Sequence, residues 1–144
     1  MMKLKFLLLS ALAALLLLRP AYGEQMAQLG PWDVHYIVVD TTFLTPEVAR
    51  NYGIVRSKYN ALVNITVLNS DTQQAQNVSV SGKATNLIGN TRNLAFKKVE
   101  EGESIYYLAV LPFRDRETFR FAIDVRHGND VKTLKFKQEL FTED

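Results

Sequence analysis

Thr118-Phe119-Arg120-Phe121-Ala122-Ile123-Asp124-Val125-Arg126 places Phe119, Phe121, Ile123 and Val125 on one side of an extended chain, and Thr118, Arg120, Asp124 and Arg126 on the other. Apolar-against-polar alternation with period two marks a strand with one face on a core and one in water. His127-Gly128-Asn129-Asp130 follows. Its glycine and asparagine suit the positive φ of a tight hairpin, so Val131 to Phe141 is the returning strand. Further period-two runs lie at Trp32 to Val39, Tyr59 to Leu68, Asn77 to Thr85, Asn93 to Val99 and Ser104 to Leu111. Roughly seven strands at short spacing predict an all-β, antiparallel two-sheet sandwich, with a small closed β-barrel as the alternative.

One short helix interrupts this pattern. Thr45 can cap, Pro46 tolerates the first helical position, Glu47 favours the positive end of the helix dipole, and Gly53 supplies a left-handed stop. The helix is expected from Pro46 to Asn51 or Tyr52. Glu24 to Pro31 reads as a loose lead-in, and Ile54 to Arg56 as a stub that could pair separately.

The chain begins with the basic stretch Met1-Met2-Lys3-Leu4-Lys5, and Ser10 is the only polar residue from Phe6 to Leu18. About 13 apolar residues span roughly 20 Å as a helix, short of the roughly 30 Å of a hydrocarbon core. Ala21-Tyr22-Gly23 then sets small residues at the two positions a signal peptidase reads. Cleavage is expected between Gly23 and Glu24, giving a signal peptide over 1–23 and a single domain over 24–144. Lys3, Lys5 and Arg19 leave with the signal, so the mature chain has 14 basic and 15 acidic residues and a net charge of −1. No global charge draws such a domain to nucleic acid or to an anionic membrane. The chain has no cysteine, which excludes disulfides, a lipid-modified signal and thiol chemistry. Export without these points to a bacterial periplasm, with no stable membrane span after cleavage.

Candidate chemistry is sparse. Neither His35 nor His127 has the spacing of a metal site. No serine stands on a nucleophile elbow, Glu100, Glu101 and Glu103 flank Gly102 in a hairpin turn, and single glycines at 82, 89 and 102 make no phosphate loop. The sequons at Asn64 and Asn77 read as chance matches in a bacterial sequence. No catalytic set, metal or cofactor is expected. His35 and Tyr36 in the first strong strand, with Arg56-Ser57-Lys58 after the helix stop, are the residues expected to meet a ligand or partner. Arg56 and Lys58 supply cationic donors beside the ring of Tyr59.

Val34-His35-Tyr36, Thr42 to Ala49, Tyr52 to Lys58 and Asn64-Ile65-Thr66-Val67 together resemble a family of short exported proteobacterial proteins described only as a domain of unknown function. Weaker similarity runs through Phe119 to Val125 and Lys135 to Gln138. The resemblance implies a periplasmic, immunoglobulin-like sandwich and lends no activity. The leading expectation is a non-catalytic periplasmic binding module, whose envelope protein or peptide partner adds a strand at an open sheet edge. One competing reading is a small ligand carrier or enzyme using His35 with Arg56 or Lys58; the other is a structural envelope protein.

Overall fold

A computed structural model describes residues 24–142; the signal segment lies outside them, and Glu24 is the first described residue. Nine strands form two antiparallel sheets: β1 (Gln25–Leu29), β2 (Trp32–Asp40), β3 (Asn60–Asn69), β4 (Ser79–Asn86), β5 (Thr91–Leu94), β6 (Lys97–Glu101), β7 (Ser104–Pro112), β8 (Glu117–His127) and β9 (Asp130–Leu140). The larger sheet has the order β1-β2-β3-β7-β6 and the smaller β5-β4-β8-β9. Each sheet keeps two open edges, so the architecture is a sandwich and not a closed barrel. Strands β2, β3, β7 and β6 occupy the places of A, B, E and D of an immunoglobulin sandwich, and β5, β4, β8 and β9 those of C′, C, F and G. β1 is an extra strand outside A.

The alternation in the sequence sets which faces meet. Phe119, Phe121, Ile123 and Val125 of β8 face Val34, Val38, Val63, Ile65, Val67 and Leu111 of the larger sheet, and all are buried in one core. Tyr107 enters this core and spends its hydroxyl on the main chain, donating to Gln76 O at 3.0 Å and accepting from Val78 N at 2.9 Å. That pins the long β3–β4 connection in the absence of a disulfide.

Three local readings change. The segment expected as a loose lead-in is strand β1, joined to β2 by Gly30-Pro31, with Leu29 opposite Trp32. Its Gln-Met-Ala-Gln-Leu sequence has no β-branched residue, so the pairing comes from the neighbouring strand and not from local preference. The run expected over 93–99 is two strands in different sheets: β5 pairs with β4, and β6 pairs with β7. The chain crosses between sheets at Ala95-Phe96, with Phe96 packed against the core. The stub at 54–56 forms no strand.

Helix α1 (Pro46–Tyr52) carries the expected signals: Thr45 Oγ1 accepts from Val48 N at 3.2 Å, and Gly53 adopts φ 67°, ψ 32°. Gly53 N–H donates to Arg50 O at 3.1 Å and Ile54 N–H to Ala49 O at 2.8 Å, the pair of bonds that closes a helix through a left-handed residue. The helix covers the outer face of the larger sheet, where Leu44, Tyr52 and Ile54 pack on Val39, Leu62 and Leu108. The Tyr52 hydroxyl donates to the Glu101 carboxylate on β6.

Candidate functional site

The segments on either side of α1 are tied together at one end of the sandwich. Thr41 is fully buried, and its hydroxyl donates to Ser57 O at 2.9 Å while accepting from Ser57 N at 2.8 Å. Arg56 Nε donates to Leu44 O at 2.7 Å and Nη2 to Thr42 O at 3.1 Å. The Ser57 hydroxyl accepts from Tyr59 N at 3.1 Å. The turn at Thr41–Phe43 and the return segment 53–59 are therefore one unit, stapled by a guanidinium and a buried hydroxyl. Lys58 Nζ lies 5.3 Å from the centre of the Tyr59 ring, within cation–π range.

Register shows what else reaches this end. Asp40 pairs with Ala61, Asn60 with Pro112, Asn86 with Phe119 and Glu117 with Leu140. The β2–β3 connection, the β4–β5 hairpin, the β7–β8 turn and the chain after β9 consequently share one pole. Six of the nine large apolar side chains that stand exposed in the described residues lie on these connections: Phe43, Val55, Tyr59, Leu87, Ile88 and Phe141. Val55 is 74% exposed and Ile88 83%. Several polar groups of the pole are engaged with one another, although Asp40 Oδ2 is buried without a hydrogen-bond partner among the described residues. Asp115 accepts from Thr142 N at 2.9 Å, and this bond holds its carboxyl below the ordinary aspartate range. That contribution is in place at and above the ordinary range and is lost as pH falls through the lowered value.

The sequence-expected residues fall in three places. His35 lies on the outer face of the larger sheet, opposite Met26 and Thr66, with Nδ1 3.4 Å from Glu24 Oε1. Its Nε2 is buried without a hydrogen-bond partner among the described residues. On the same face Asp33 is held below the ordinary aspartate range by hydrogen bonds from Gln73 and Ser70. Tyr36 points inward and stacks on Phe136, with ring centres 4.4 Å apart. Arg56, Ser57 and Lys58 sit at the apolar pole. At about 3.4 Å per residue, His35 and the Asp40 end of β2 are some 17 Å apart, and Arg56 is held beyond that end at Thr42. The structure thus does not bring His35 together with Arg56 and Lys58. Among the described residues no three His, Cys, Asp or Glu side chains gather as a metal site. Sequence reasoning missed Thr41, Phe43, Val55 and the Leu87-Ile88 tip; two adjacent apolar residues before Gly89-Asn90, in a turn that should be polar, were the available signal.

Gly53 sets the path of the stapled segment. A Cβ there meets nothing within 4 Å, so substitution tests the backbone alone. Gly53→Ala is expected to cost about 1 kcal/mol through positive φ and to loosen 56–58, read as faster amide exchange there. Gly128→Ala, at φ 60° with equally open surroundings, should cost about the same without changing that exchange. A neutral Gly53→Ala in denaturant melts contradicts the account.

An immunoglobulin-like sandwich with stapled, apolar-tipped connections at one pole is the class these features define. Residues 26–143 match the family model described as Domain of unknown function (DUF4426), and the chain belongs to that family. It is similar to the crystal structure of a DUF4426 family protein from Pseudomonas aeruginosa PAO1, at 36% identity over 85% of this chain and 98% of that one, with a TM-score of 0.75. The fold is also that of FetP from uropathogenic Escherichia coli strain F11, recombinantly expressed in the periplasm of E. coli, at 6% identity, 83% and 95% coverage and a TM-score of 0.59. A copper-bound variant of FetP matches at 8% identity with the same coverage and TM-score. No curated protein matches the chain. Among the described residues no helix is long and apolar enough to cross a membrane.

Proposed function

We propose that this chain is a non-catalytic periplasmic interaction module that holds an envelope protein through its apolar pole. The observation that carries this reading is the gathering of Phe43, Val55, Tyr59, Leu87, Ile88 and Phe141, exposed, on connections that share one end of the sandwich. Water-exposed apolar side chains concentrated on loops of a rigid scaffold mark a protein-binding surface, and the staple of Arg56 and Thr41 preforms the β2–β3 connection that carries Phe43, Val55 and Tyr59, which reduces the entropy lost on binding. Arg56 and Ser57 act here as positioning residues, while Lys58 borders the surface. A periplasmic location is supported by the signal-like start of the sequence and by the fold shared with FetP.

Partner strand addition is the weaker route. The edge strands β6 and β9 carry Lys97, Lys98, Glu100, Glu101 and Lys132, Lys135, Lys137, Glu139, and charge along an edge discourages pairing. β5 has only four residues, which leaves the short, uncharged β1 as the one edge without such a guard.

The double variant Val55→Asp, Ile88→Asp is the test. Both side chains are exposed, so the melting midpoint should stay within a degree or two while the specific partner recovered by in-cell crosslinking falls at least tenfold. Unchanged recovery from a folded variant rejects the pole. Turnover of an envelope substrate by the purified protein, with no partner recovered, rejects the non-catalytic reading.

A further inference from the structure

The outer face of the smaller sheet, in the half that adjoins the apolar pole, carries cations that the fold does not use. Strands β4, β8 and β9 lie side by side, with Lys83 opposite Ala122 and Ala122 opposite Lys135; one row along, Thr85 is opposite Arg120 and Arg120 opposite Lys137. Directly opposed side chains share a face with Cβ atoms about 5 Å apart, and the next row on that face is about 7 Å along the strands. Four cations from three strands therefore surround one alanine. Because Ala122 contributes only a methyl group, an open hollow of about 450 Å³ lies between the longer side chains, where Phe121 and Phe136 join Thr85, Ala122 and the four cations in lining it.

This arrangement works against stability. Arg120 and Lys137 are a directly opposed like-charge pair, which destabilises a sheet. The nearest acids on the face are Asp124, bonded by Thr133 Oγ1 at 2.7 Å, and Glu139. Neither forms an ion pair with the cluster, and among the described residues the side chains of Lys83, Arg120, Lys135 and Lys137 make no ion pair or hydrogen bond. The mature chain as a whole is slightly acidic, so the cluster is a local excess and not a reflection of a basic protein.

We infer that the hollow binds a compact polyanion bearing two phosphoryl groups, held over Ala122 by the converging flexible arms of Lys83, Lys135, Arg120 and Lys137. Charge decides the class. Each phosphoryl group of this kind carries about −1.5 to −2 at neutral pH, so two match four cations, whereas a dicarboxylate supplies half as much. Arg offers a planar fork to phosphate oxygens and Lys adjustable point charges. Phe121 and Phe136 border the hollow, but their side chains pack inward on the core and stack with each other, so no ring stands outward as the platform that single-stranded nucleic acid requires.

Inorganic pyrophosphate is the probe, titrated calorimetrically into the full mature chain at two salt concentrations. Binding is expected, weaker at higher salt. Arg120→Gln with Lys135→Gln should lower the affinity at least tenfold while the melting midpoint holds or rises, because a like-charge contact is relieved. Lys98→Gln on the other sheet should bind as the parent does. No binding at millimolar pyrophosphate, or equal binding by the double variant, overturns the site. Phosphatidylglycerol vesicles form the second arm: vesicle binding that depends on Arg120 and Lys135, without pyrophosphate binding, overturns the small-molecule reading in favour of a lipid surface. Retained partner recovery in the double variant separates this site from the pole.

Discussion

Phe121→Ala is expected to cost the sandwich about 3–5 kcal/mol, the usual range for emptying a buried phenylalanine site. Phe121 is 2% exposed and stacks on Phe136 at 4.5 Å with the rings 8° from parallel. Phe136 in turn stacks on Tyr36 of the larger sheet, so a column of three rings crosses from one sheet to the other. Alanine removes the end of that column on a central strand, where β4 and β9 on either side leave little room for collapse. Domains of this size hold about 5–15 kcal/mol in total, and with no cysteine in the chain there is no disulfide to offset the loss. Urea melts should show a lower midpoint with an unchanged slope. A cost under about 1 kcal/mol, less than a buried ring should carry, contradicts the packing described.

Gly82→Ala should destabilise by about 1–3 kcal/mol, the range for overpacking. A Cβ at Gly82 stands 2.8 Å from Ala122 O and 3.0 Å from Ile123 Cα, and both are main-chain atoms of the paired strand β8. Relief requires β4 and β8 to separate along their ladder. The sign makes the measurement decisive: in an open strand position, alanine gains about 0.5–1 kcal/mol over glycine. A stabilising Gly82→Ala therefore means that the close approach is absent. The same shift moves Ala122, so the variant should also weaken pyrophosphate binding.

Much of this structure was legible in the chain. Period-two runs located β2, β3, β7, β8 and β9, and even their faces: Trp32, Val34, Tyr36 and Val38 point inward and Asp33, His35, Ile37 and Val39 outward, as the alternation implies. Thr45, Pro46 and Gly53 placed the helix because caps act locally. What escaped depends on distant partners. β1 is a strand only because β2 pairs with it. The crossing between β5 and β6 is hidden because Leu94 and Phe96 keep period two through the change of sheet, and parity changes only at Val99, which packs on the outer cluster. Arg56 looks in sequence like a free cation, whereas the carbonyls it serves lie 12 and 14 residues earlier. Neither surface could be read locally. Phe43, Val55, Ile88 and Phe141 are scattered through the chain and meet through topology, and Lys83, Arg120 and Lys135 each occupy the ordinary polar phase of a strand until register sets them around Ala122.

Contact between the apolar pole and a partner is measured by a photo-crosslinking amino acid placed singly at Val55, at Ile88 and at Asn129 in cells that express the chain. Val55 and Ile88 lie on different connections of the same pole, and Asn129 tips the β8–β9 hairpin at the opposite end. One common heterologous adduct is expected from positions 55 and 88, and none at 129. Adducts equally strong at 129, or an adduct at 55 and 88 with the mass of two copies of this chain, contradict that contact.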